Sequence, residues 1–112
     1  MSDTVLNDIL QKAVRGLKEI YGGKLLSVIL YGSYARKDYD SESDIDIAAI
    51  VDVERENAYD CSDRLASLMS DISLEYGCLV MFDILPEAEY EKYREALPYY
   101  RNIDKDGIRI SA

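Results

Sequence analysis

The stretch Tyr31-Gly32-Ser33-Tyr34-Ala35-Arg36, followed after a polar interval by Ser43-Asp44-Ile45-Asp46-Ile47-Ala48-Ala49-Ile50-Val51, decides how this chain is read. The apolar run Leu25–Tyr31 predicts a buried strand ending at Gly32-Ser33, and Ile45–Val51 predicts a second. So short an interval makes the two strands antiparallel neighbours, with Gly32, Ser33, Asp44 and Asp46 converging at one edge of a sheet. Side chains alternate along a strand, which sets Asp44 and Asp46 on the same face. Two carboxylates fixed there suit a hard divalent cation with oxygen ligands, Mg²⁺ above all. Gly32 permits close backbone approach, and Ser33 with the amides after it offers a phosphate seat at a helix start. The combination points to metal-assisted nucleotide chemistry.

Outward from this stretch, residues 3 to 21 carry Val5, Leu6, Ile9, Leu10, Ala13, Leu17 and Ile20 in a helical stripe. Asp3 or Thr4 can cap its start, and Gly22-Gly23 ends it. A short helix is expected through Ala35, and Lys37–Ser43 reads as a polar loop. Asn57–Tyr76 predicts a second amphipathic helix stopped by Gly77. Leu79–Leu85 reads as a third strand and Glu87–Ala96 as a helix. Pro98 then breaks the helix, and a last turn leads to a short strand at Ile108-Arg109-Ile110. This order implies an α+β (α/β) fold, a small mixed sheet of about four strands backed by helices on one face. Residues 1–112 read as a single domain.

A chain with 48 % hydrophobic and 31 % charged residues has the make-up of an ordinary soluble globular domain. No apolar run approaches a membrane span, and Met1-Ser2-Asp3 does not open a signal peptide, so a cytoplasmic location is expected. Two cysteines, Cys61 and Cys78, with no histidine exclude the usual zinc frameworks and read as free thiols. The net charge of −9 opposes general nucleic-acid binding. Without histidine, catalysis has to rest on carboxylates and metal.

Gly32-Ser33-Tyr34-Ala35-Arg36 and Ser43-Asp44-Ile45-Asp46, with ten residues between Ser33 and Asp44, resemble the signature of the minimal nucleotidyltransferases. These are small members of the DNA polymerase beta-like nucleotidyltransferase superfamily. Pro98-Tyr99-Tyr100-Arg101-Asn102-Ile103 and Asp106-Gly107-Ile108 resemble the family's C-terminal end. Lys37 departs from the pattern, standing where the family usually carries Gly. The resemblance implies transfer of AMP from ATP to a hydroxyl, with two Mg²⁺ ions held by Asp44 and Asp46. Gly32 and Ser33 would seat the phosphates, with Arg36 and Ser43 as further nucleotide contacts.

The superfamily adds a third carboxylate from a neighbouring strand, as metal ligand or base. Asp83 is the only acid within the third strand, where a carboxylate is costly unless paired or metal-bound. Counting back from Pro98 points instead to Met81, which shares a face with position 83. Tyr34 and Tyr39 read as packing, with stacking on a base as the alternative. Tyr90, Tyr93, Tyr99 and Tyr100 crowd the C-terminal part, as a partner or dimer surface or as filling for the open face of the sheet.

A lone catalytic core needs a dimer or another protein to complete its cleft. The resemblance implies a HEPN-domain ribonuclease toxin as that partner. The chain would then be the antitoxin of a type VII-like module, AMPylating a tyrosine of the toxin. Two alternatives stay open: a weakly active or inactive antitoxin that neutralises by binding alone, and a small-molecule nucleotidyltransferase with a separate acceptor-binding subunit.

Overall fold

The computed structural model describes residues 1–40 and 42–111. Leu25–Tyr31 (β1) and Ile45–Val51 (β2) are the strands expected of the two apolar runs, paired antiparallel with Tyr31 opposite Asp46. Val80–Pro86 (β3) lies parallel to β2, and Ile108–Ser111 (β4) antiparallel to β1, giving the sheet order β3-β2-β1-β4. A parallel pair needs a crossover, and helix Ser62–Tyr76 (α3) supplies it between β2 and β3. The fold is a mixed four-stranded α+β sheet with helices.

Helix Asp3–Tyr21 (α1) is capped by Ser2 rather than by Asp3 or Thr4. Ser2 is extended and its Oγ accepts from the Val5 amide at 3.2 Å. Asp3 falls instead in the first turn, where its charge meets the positive end of the helix. The helix expected from Asn57 begins only at Ser62, because Arg55–Asn57 forms a separate 3₁₀ turn. Ser33–Arg36 (α2) is one turn long, and Glu87–Tyr93 (α4) stops short of Ala96. The stretch after Pro98, expected as a turn, is a helix, Pro98–Asp106 (α5). Proline at a first helical position gives up no hydrogen bond and brings a suitable φ, so Pro98 starts this helix as well as ending the one before. The loop expected over Lys37–Ser43 is irregular at 37–40, 42 and 43; Ser41 lies outside the described residues.

The expectation of helices on one face alone needs correcting. Val28, Leu30, Ile47, Ala49, Val51, Phe82 and Ile84 pack with the apolar stripes of α1 and α3. The residues of opposite parity, Ile29, Ala48, Ile50 and Leu85, pack with Tyr90 of α4 and Ile103 of α5. A strand apolar at both parities is buried on both faces, and β1 and β2 are such strands. Two of the C-terminal tyrosines, Tyr90 and Tyr100, help to fill this second face. Tyr90 is buried with its hydroxyl donating to Asp104 Oδ1 at 3.0 Å, whereas Tyr99 stays 44 % exposed.

β3 is an edge strand. The Ile45 amide bonds the Leu79 carbonyl at 2.9 Å, so the odd-numbered residues of β3 turn their backbone to β2 and the even-numbered ones turn outward. Two outward amides are capped by side chains: Val80 by Ser73 Oγ at 3.1 Å and Ile84 by the Tyr59 hydroxyl at 3.2 Å. Among the described residues, no helix is long and apolar enough to cross a membrane. Cys61 and Cys78 are both half-buried free thiols.

Candidate active site

β1 ends where the chain must turn sharply over the start of β2, and Gly32 makes that turn with φ +75°. A Cβ on Gly32 would lie 2.5 Å from Asp46 Oδ2. The glycine therefore lets the backbone pass against the carboxylate, and the two predicted residues are in direct apposition. Ser33 follows as the first residue of α2, half-buried beside this contact.

Asp46 is fixed by its neighbours. Ile45 and Ile47 are fully buried on the α1/α3 face, so strand alternation sends Asp46 to the opposite face. Asp44 stands exposed just before β2. Burial raises the Asp46 carboxyl above the usual carboxylate range. The charges of Asp44 and Asp83 push the same way, and Arg36 pulls it back. Asp46 thus feels two further carboxylates at this edge, with the Arg36 guanidinium offsetting them. That donor set, all oxygen and mutually repelling, fits a hard divalent cation of the Mg²⁺ kind, with Asp44 and Asp46 as the residues that would hold it. Among the described residues, no three acidic or cysteine side chains form a ready-made cluster around one point.

The strand register separates the two candidates for a third carboxylate. Met81 stands opposite Asp46, and Asp83 opposite Ala48, one pair further along on the same face. The position nearest Asp46 on β3 is thus a thioether, a poor ligand for a hard cation. Asp83 is half-buried and accepts a hydrogen bond from the Tyr31 hydroxyl. Tyr31 is the site residue that the sequence reading passed over. Its signal was its place, at the polar end of an apolar strand and two positions in parity from Ile29.

The remaining predicted contacts are engaged locally. Arg36 is exposed and pairs through Nε with Asp38 Oδ2 at 3.2 Å while acting on Asp46 through its field. Ser43 closes a turn, its Oγ accepting from the Asp40 amide at 3.0 Å and donating to Asp40 Oδ1 at 3.3 Å. Tyr34 and Tyr39 stack on each other, centroids 4.1 Å apart, and Tyr34 is buried. With Ser43, Tyr76 and Cys78 they wall a cavity of about 540 Å³ that opens beside Asp44.

Lys37 caps α2 with φ +63°, a left-handed conformation that glycine adopts without penalty. Lys37→Gly is therefore expected to raise stability by about 0.5–1 kcal/mol, read as a higher urea midpoint at unchanged slope. An equal or lower midpoint would show that the lysine is unstrained there.

Comparison with known proteins bears on this geometry. Residues 10–108 match the model of the nucleotidyltransferase domain. Two Methanocaldococcus jannaschii proteins, each provisionally named a protein adenylyltransferase, are similar in sequence. One is 33 % identical over 98 residues, covering 88 % of this chain and 90 % of its own. The other is 34 % identical over 73 residues, covering 65 % and 72 %. Among solved structures, a provisionally named nucleotidyltransferase of Sulfolobus solfataricus aligns over 97 % of this chain and 87 % of its own, with TM-score 0.58 and 22 % identity. A toxin–antitoxin structure with AMP-PNP aligns over 88 % of this chain and 69 % of its own, with TM-score 0.54 and 20 % identity. At such identities these two structures establish likeness of fold.

Proposed function

This chain belongs to the nucleotidyltransferase domain family, and from that premise we propose that it moves AMP from ATP onto a hydroxyl of a partner protein. The observation that carries this reading is the apposition of Gly32 to Asp46, with Asp44 and Asp83 acting on the same carboxylate. A nucleotide-binding turn and a metal-binding pair then share one sheet edge. We assign the Mg²⁺ ligands as Asp44 and Asp46, with Asp83 as the third carboxylate. When bound, Mg²⁺ neutralises charge on the α-phosphate and the leaving pyrophosphate.

The chain's own residues have distinct tasks in this reading. Gly32 leaves room for a phosphate against the backbone, and the Ser33 hydroxyl and amide hold it. Arg36 adds positive charge at the same edge, and Ser43 keeps the Asp40–Ser43 turn closed beside the nucleotide. Asp83 takes the proton from the acceptor hydroxyl as its oxygen bonds the α-phosphorus and the bond to the β-phosphate oxygen breaks.

The acceptor we assign is a tyrosine of a HEPN-domain toxin, with this chain as the cytoplasmic antitoxin and residues 1–112 acting as one nucleotidyltransferase core. The names of the M. jannaschii relatives support transfer to a protein, and the toxin–antitoxin neighbour holding AMP-PNP supports a toxin as the partner. Incubation with Mg²⁺ and α-³²P-ATP, with and without the HEPN protein, tests it. Label on the partner with wild type, and none with Asp44→Asn/Asp46→Asn, is the expected result. A stable complex formed equally by both chains without transfer overturns the enzymatic reading in favour of an occluding binder.

A further inference from the structure

Tyr31 and Asp83 belong to strands that are not neighbours. β2 lies between β1 and β3, so two strand spacings, about 9.5 Å, separate their backbones. The residue of β2 opposite Asp83 is Ala48, and that methyl leaves the space above β2 open. The phenol of Tyr31 reaches through this space, and its hydroxyl donates to Asp83 Oδ2. Its ring packs against Tyr99 at the start of α5, edge to face with centroids 6.3 Å apart. Tyr99 and Asp83 also line one small cavity. A half-buried phenol could satisfy its hydroxyl with water at its rim; this one spans a strand to reach a carboxylate.

We propose that Tyr31, steadied by Tyr99, is a positioning residue that fixes the Asp83 carboxylate in the orientation the reaction uses. The inference rests on the reading of Asp44, Asp46 and Asp83 as the acidic site. Its physical basis is that a carboxylate on an edge strand is free to rotate about two bonds, whereas one tied by a charge-assisted hydrogen bond is not. Burial, and secondarily the bond to Asp83, raise the Tyr31 phenol above its ordinary value, so it stays a donor at neutral pH. Residues that orient metal ligands typically govern metal affinity or activity by ten- to a hundredfold.

The test is a double-mutant cycle on the full chain: wild type, Tyr31→Phe, Asp83→Asn and the pair. Two readouts are taken, Mn²⁺ binding by electron paramagnetic resonance with AMP-PNP present, and the rate of AMP transfer. Tyr31→Phe keeps the ring and loses only the hydroxyl. It is expected to weaken Mn²⁺ binding about tenfold and to slow transfer about ten- to a hundredfold, with KM for ATP unchanged. In the Asp83→Asn background the same change is expected to do nothing, because the group it orients is gone. Wild-type behaviour of Tyr31→Phe in both readouts overturns the proposal, as does a loss that persists in full in the Asp83→Asn background. If Tyr31→Phe melts far below wild type, Tyr99→Leu, which removes the ring that packs on Tyr31, replaces it in the same cycle, with a smaller loss expected that again vanishes with Asp83. Absence of AMP transfer by wild type overturns the adenylyltransferase reading instead, and the Mn²⁺ cycle still decides the role of Tyr31.

Discussion

Asp46→Asn is expected to transfer AMP at least about a thousandfold more slowly than wild type, yet to melt at a higher temperature in chelator at pH 7. The first effect follows from losing one of two proposed metal ligands. Several kcal/mol of transition-state charge stabilisation go with it, and about 4 kcal/mol already corresponds to a thousandfold. The second follows from the environment of Asp46. Burial, then Asp44 and Asp83, raise its carboxyl in the folded chain above the unfolded value near about 3.9. A group with a raised folded value stabilises the fold most below its unfolded value, and that contribution is lost as pH rises through the folded value. Above that folded value the fold carries a repelled carboxylate, and asparagine removes the charge. Because Asp46 is only half-buried and solvent screens its charge, the gain is a few degrees at most. Thermal melts from acid to neutral pH check the sign, with the gap between variant and wild type widening as pH rises. Adding Mg²⁺ is then expected to lift the wild type and leave Asp46→Asn in place. A variant that melts lower than wild type at pH 7 in chelator contradicts the account.

Gly32→Ala is expected to cost about 2–3 kcal/mol of stability and most of the activity, through two separable causes. The backbone at φ +75° is strained for any residue with a Cβ, and the added carbon would press on Asp46 Oδ2 at 2.5 Å. Gly77, which ends α3 with φ +67°, offers the control, since a Cβ there meets nothing within 4 Å. Gly77→Ala is expected to carry the backbone strain alone, about 1 kcal/mol, and to leave the acidic site untouched. The difference between the two urea midpoints combines the contact with Asp46 and the added backbone strain at Gly32, whose ψ of −154° lies outside the left-handed well that Gly77 occupies at ψ 28°. Equal costs at the two glycines would mean that Asp46 turns aside freely, and the site would then owe little to the glycine.

The elements whose identity rests on local pattern were legible from the residues alone. Leu25–Tyr31 and Ile45–Val51 are apolar, bounded by Gly32 and by Asp44, and both stand as strands at those limits. The acidic pair and its glycine came with them, because a short connection leaves little freedom in how two antiparallel strands meet. What escaped depends on partners far away in sequence. The second packed face was signalled by the lack of alternation in Leu-Leu-Ser-Val-Ile-Leu-Tyr and Ile-Asp-Ile-Ala-Ala-Ile-Val, but its covering came from α5, hidden behind a proline that reads equally as a stop or a start. Ser2 took the cap of α1 because a helix can start one residue earlier without changing its stripe. The bond from Tyr31 to Asp83 crosses an intervening strand, and no spacing rule within one segment anticipates a contact between residues 52 positions apart. Ser43, placed among the nucleotide contacts by its position before Asp44, has its hydroxyl occupied by Asp40, which only the shape of the turn reveals.

The two side-chain caps on β3 bear on how this chain behaves when crowded. An open sheet with a bare edge invites a second copy to add a strand, the first step toward fibres. Here the amides of Val80 and Ile84 already donate to the Ser73 and Tyr59 hydroxyl oxygens, so a docking strand would have to break two hydrogen bonds before making its own. With β4 only four residues long at the opposite edge, both margins are poor templates for growth. Ser73 and Tyr59 thus act as guards against self-assembly.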